Sequence, residues 1–111
     1  MKIGDFISEL KTHGGYNFTV SRNDDEGQAT VTFDAPYTWS DGNEKISSVC
    51  VTYSSLSRRI KSFKIYGENL LQILGYTQIY RIFFGCDIIG FNHFGMDNVP
   101  PYIILFTDYE D

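Results

Sequence analysis

Cys86, His93 and Asp97 are the one set in this chain whose types supply a nucleophile, a base and an orienting acid. A thiol attacks as its thiolate, and forming a thiolate at neutral pH takes a nearby imidazole or positive field. Spacing alone does not bring the three together, and signatures of this kind transfer poorly between families. The plain alternative is a buried strand cysteine and a loop histidine, so no catalytic residue is assigned and the chain is expected not to be an enzyme. His13, His93, Cys50 and Cys86 include no pair at the close spacing typical of zinc. Asp24, Asp25 and Glu26 imitate part of a calcium loop but lack its alternating acids and distal bidentate glutamate. Gly85, Gly90 and Gly95 have no following Lys-Ser/Thr to make a phosphate loop, and read as turns and bulges. No metal and no cofactor is expected.

The elements that carry these residues follow from hydrophobic period. Ile3, Phe6, Ile7 and Leu10 share one face of a short helix opened by Asp5, with Lys11 and His13 in its last turn and Gly14-Gly15 at its end. Tyr16, Phe18 and Val20 alternate, as do Ala29, Val31 and Phe33, which predicts a hairpin whose tip is Asp24, Asp25 and Glu26. Residues 34 to 44, with Trp39, Asp41 and Glu44, are dense in turn formers and read as a loop. Residues 46 to 53 and 61 to 66 read as an antiparallel pair with Arg58, Arg59, Lys61 and Lys64 at and just after the bend. Residues 68 to 74 read as a helix ended by Gly75. Residues 76 to 84 read as strand, although their length also suits a continuation of that helix. Residues 86 to 91 and 102 to 109 read as strands, separated by a loop over 92 to 98 and by Pro100-Pro101, which bars helix. The expected class is α+β, one compact domain of mostly antiparallel sheet with about two helices and a frayed acidic tail over 108 to 111.

At 111 residues the chain is long enough for one domain with its own core. Eight Tyr, nine Phe and one Trp must fill that core or stand at a binding surface. Ile3-Gly4-Asp5 interrupts any apolar signal core, no run approaches the roughly 20 residues of a membrane span, and two isolated cysteines suit a reducing compartment. These features predict a cytoplasmic protein with no membrane contact.

Charge is sorted into blocks. Residues 1 to 44 carry net −5, residues 45 to 81 carry net +5, and residues 82 to 111 carry net −5. Acidic ground around one basic island suits docking onto a charged macromolecule by steering and complementarity. A formal charge of −5 opposes phosphate contacts, so direct nucleic-acid binding is not expected and a basic protein partner is. The candidate binding residues are Asp24, Asp25, Glu26, Trp39, Asp41 and Glu44, with a second set at Asp108, Glu110 and Asp111. The hairpin-tip carboxylates are expected to be solvated and mutually repulsive, so that removing them leaves folding unaffected.

The opening Met1 to Lys11, followed by the strand over 16 to 21 and an acidic turn, resembles the start of small acidic phage anti-CRISPR proteins of the type II-A class. The likeness covers about a third of the chain, and the chain is longer and richer in strand than that class. It implies an inhibitor that covers the basic groove of an RNA-guided nuclease, carboxylates standing in for phosphates, with Asp24, Asp25 and Glu26 on a comparable turn. The expected function is therefore a non-enzymatic phage or mobile-element inhibitor acting on a nuclease or CRISPR effector. The alternatives are an immunity protein against a nuclease toxin, a structural phage component, and an enzyme using Cys86 and His93.

Overall fold

The computed structural model describes residues 1–12, 17–38, 43–73, 82–83, 86–96 and 99–109. After helix α1 (Ile3–Thr12) the chain forms β1 (Phe18–Asn23), β2 (Gln28–Tyr37), β3 (Lys45–Tyr53), β4 (Ile60–Glu68), β5 (Ile82–Phe83), β6 (Cys86–Met96) and β7 (Val99–Thr107). All pair antiparallel, in the spatial order β1-β2-β3-β4-β7-β6-β5, with the two-residue β5 on the outer side of β6. A second helix begins at residues 71–73. The expected α+β domain is present, dominated by its sheet, and its radius of gyration of 13.3 Å is that of a compact chain of this length.

Strand alternation sends one set of side chains under α1. Ile3, Phe6 and Leu10 of the helix are buried against Val31, Val49, Phe63, Ile65, Ile103 and Leu105, and the Phe6 and Phe63 rings lie 5.1 Å apart. The helix is anchored at its start. Ile3 N–H donates to the Arg58 carbonyl at 2.9 Å, and Ile60 N–H donates to the Met1 carbonyl at 3.0 Å. Leu70 and Ile73 join the same core, so both helical segments lie on one side of the sheet.

Several boundaries differ from the sequence expectation. The loop expected from residue 34 begins later, because β2 continues to Tyr37, which is buried and pairs with Ile46 after a register shift that absorbs Ala35 and Pro36. The loop expected over 92 to 98 is strand as far as Met96. Pro100 and Pro101 lie inside β7, in the register shift between the Phe94–Tyr102 and Met96–Val99 pairs and before the first β4 pair at Tyr102. Proline is tolerated there because a bulge has no regular ladder bond for it to remove. Glu68 belongs to β4, so the helix expected from residue 68 starts three residues later. Most of the segment 76 to 84 lies outside the described residues.

Candidate docking face

Because strands point successive side chains to opposite faces, the face turned away from α1 is fixed by the register. Thr32, Ser48, Tyr66, Tyr102 and Phe94 are successive partners across β2, β3, β4, β7 and β6. Thr30, Cys50, Lys64, Ile104 and Asn92 form the neighbouring row. The β2–β3 half is a carpet of hydroxyls, whereas the β4–β7–β6 half is aromatic. Among the described residues no helix covers this face.

The aromatic half is ordered by ring contacts. Tyr66 and Tyr102 lie 5.2 Å apart at 43°, and Tyr102 stacks on Phe94 at 4.8 Å and 18°. The Lys64 ammonium sits 4.5 Å from the Tyr102 ring centre and 5.2 Å from that of Tyr66, within cation–π reach of both. The Tyr66 phenol, more than burial can offset, raises Lys64 above the ordinary lysine pKa and keeps it a cation. Phe94 and Phe106 remain 41 % and 37 % exposed, far above the core value for strand aromatics such as Phe63 at 0 %. Stacking fixes these rings before any partner arrives, which lowers the ordering cost of an interface built on them.

Beyond the Tyr66 row the face ends in a groove of about 530 Å³ lined by Pro36, Lys45, Ser47, Tyr66, Glu68 and Pro101. Alternation assigns Asp34 and Glu68 to this end of the face, beside Lys45, whereas Asp87 and Asp108 lie at the opposite sheet end and line a cavity with Met1, Arg59 and Ile60 at the start of α1. The aromatic row thus has the carboxylates of Asp34 and Glu68 at its groove end and the Lys64 cation over its rings. The sequence reading missed this row although its signal was present: residues 102 to 106 are continuously apolar, and in a sheet covered on one face such a run leaves every second side chain on the other.

The acidic hairpin tip is built differently from expectation. Arg22 Nε donates to Asp24 Oδ1 at 2.6 Å, the Tyr53 hydroxyl donates to the same oxygen at 2.7 Å, and Arg58 Nη2 stands 3.8 Å from Oδ2. Arg58, at φ 66°, also donates to the Asp24 and Ser55 carbonyls at 3.0 and 2.7 Å. Asp24 therefore fastens the β1–β2 turn to the β3–β4 turn and is no free carboxylate. Only Asp25 and Glu26 of the tip are exposed, on a turn held by their N–H bonds to Asn23 Oδ1. Glu44 is fully buried at 0 % exposure and adds nothing to an acidic surface. Asp108 is exposed at the same sheet end as Asp25 and Glu26, three strand intervals away, which is roughly 14 Å. Trp39, Asp41, Glu110 and Asp111 lie outside the described residues.

The Arg22 and Tyr53 hydrogen bonds hold the Asp24 carboxyl below the ordinary aspartate pKa. A depressed carboxyl contributes stability that is present above its unfolded value, about 3.9, and lost as pH falls through the lower folded value. Asp24→Asn is accordingly expected to lower Tm at pH 7, with the gap from wild type closing below about pH 4. Tyr53→Phe removes one hydrogen bond and should cost about 1 kcal/mol at pH 7. Thermal melts across pH 2.5 to 7 check both, and a gap that widens in acid would contradict the assignment.

Cys86 and His93 stand seven residues apart on β6, about 23 Å along an extended strand, too far for a base to reach a thiol. Asp97 lies outside the described residues. Cys50 is a half-buried free thiol on the uncovered face, accepting a weak contact from Thr30 Oγ1 at 3.8 Å. Among the described residues no three potential ligands gather to hold a metal, and no helix is long and apolar enough to cross a membrane. In comparisons with known proteins, no family model, no curated protein and no solved structure matches this chain.

Proposed function

We propose that this chain is a non-enzymatic binding protein that docks a basic protein partner on the uncovered face of its sheet. The observation that carries this reading is the preordered row Tyr66–Tyr102–Phe94 on a face that no described helix covers. Exposed stacked aromatics supply interface anchors, because burying them releases water from large apolar area at little cost in side-chain entropy. A net charge of −5, with Asp34 and Glu68 at the groove end of the face, favours a partner with cationic ground around an apolar patch. Single-stranded nucleic acid also stacks on aromatics, but it needs a positive groove along its backbone, and here the cations Lys64 and Lys45 are isolated on a chain of net charge −5. The inhibitor of a nucleic-acid-handling defence protein suggested by the sequence is the biological role that best suits such a partner.

The experiment is affinity capture from the bacterial host, with the captured protein then purified and its association measured as salt rises. A basic partner whose on-rate falls steeply between about 50 and 500 mM salt is expected, since screening weakens steering at long range. Asp25→Lys with Glu26→Lys should slow association about tenfold or less and leave Tm nearly unchanged, because both side chains are solvated. Tight binding to a single-stranded oligonucleotide at physiological salt would overturn the protein-partner reading.

A further inference from the structure

We infer that the groove at the end of the docking face is an anchor site for an arginine side chain of the partner, an inference that rests on the docking reading and names the chemistry of one contact within it. The groove's volume of about 530 Å³ exceeds what one side chain fills, which leaves room for the adjoining backbone of a partner loop. Its lining includes the aromatic Tyr66, whose ring lies 5.2 Å from that of Tyr102, and the apolar Pro36 and Pro101. Its rim holds the Glu68 carboxylate, which forms no ion pair with another described residue.

That combination matches guanidinium chemistry. A guanidinium is planar, stacks on an aromatic face, is weakly hydrated, and presents parallel N–H donors to a carboxylate. A lysine ammonium is a strongly hydrated point charge, for which leaving water for an apolar slot costs more. The opposing cation at the rim is Lys45, the direct cross-strand partner of Glu68. Lys45 repels an entering guanidinium while Glu68 attracts it, so the two rim charges must influence binding with opposite sign.

The test uses the full chain labelled with nitrogen-15, titrated with the blocked tripeptide Gly-Arg-Gly and followed by amide shifts. Saturable shifts confined to residues 45 to 48 and 66 to 68 are expected, with at least fivefold weaker binding of the same peptide carrying citrulline, which keeps the shape and removes the charge. Glu68→Gln should weaken the arginine peptide about fivefold or more, and Lys45→Met should strengthen it severalfold. Both side chains are exposed, so neither change threatens the fold. Absence of saturable shifts, equal binding of the citrulline peptide, or a Lys45→Met effect of the wrong sign would overturn the arginine site. Those outcomes leave the docking face standing, because its own test is loss of partner binding on substitution of the aromatic row.

Discussion

Tyr66→Thr, Tyr102→Thr and Phe94→Thr, introduced together, are expected to weaken binding of the captured basic partner by at least about a hundredfold. Central aromatic anchors commonly cost about 2 kcal/mol or more each when truncated, and because such losses are not additive the combined change is set at a floor of about 2.7 kcal/mol. Threonine is the replacement because it favours strand and already fills the β1–β2 half of the face at Thr19, Thr30 and Thr32. The fold should survive, since Phe6, Phe63, Ile65 and Leu105 lie on the other side of the sheet. Calorimetry with the purified partner measures the loss, and melting curves confirm that the variant is folded. Thr32→Ser, in the same cross-strand row but away from the rings, should leave affinity within a few-fold. Unchanged affinity in the triple variant would remove the face from the interface. A concentration-dependent dimer abolished by the same three changes would assign the face to a second copy of this chain.

A large loss of stability is expected on substitution of Gly27. It closes the β1–β2 turn at φ 66°, and its carbonyl accepts the Tyr53 N–H at 2.8 Å. A Cβ placed there would overlap the Tyr53 carbonyl oxygen, which is backbone and cannot turn aside. Gly27→Ala therefore adds the left-handed penalty of about 1 kcal/mol to the cost of prising β2 from β3, for a total of about 3 kcal/mol or more. Against a domain stability of roughly 5–15 kcal/mol this is a large share, and Tm should fall by roughly 15 °C. Gly4 is the control, because its added Cβ meets nothing within 4 Å and Gly4→Ala in a helix should hold or raise Tm. A Gly27→Ala melt within about 3 °C of wild type would refute the turn geometry.

The two variants test different consequences of one topology. The charge blocks are far apart in sequence, but the antiparallel order puts β3 and β4, which carry much of the basic block, between β1–β2 on one side and β7–β6 on the other. Part of the acidic tip then meets a base of the middle block, as Asp24 does at Arg58. Charge segregation along the chain is in part internal complementarity. Among the described residues the exposed carboxylates that remain are Asp5 and Glu9 on α1, and Asp25, Glu26, Asp34, Glu68, Asp87 and Asp108 on the sheet and its turns.

The sequence by itself determined the elements whose side chains obey a clear period. The apolar stripe Ile3, Phe6, Leu10 is α1, and the alternations at Ala29-Val31-Phe33 and Val49-Val51-Tyr53 are the core sides of β2 and β3, because period dictates which face of an element leaves water. It also located the acidic hairpin and the basic bend. Strand ends at Tyr37 and Met96 were not legible, since register shifts absorb the prolines and glycines that otherwise mark loops. Tertiary structure alone decided which carboxylates are free, because burial of Glu44 and capture of Asp24 depend on segments distant in the chain. It alone decided the docking face as well. Residues 102 to 106 are apolar on both sides, and only the placement of both helical segments over one side makes Tyr102 and its neighbours a surface and not a core.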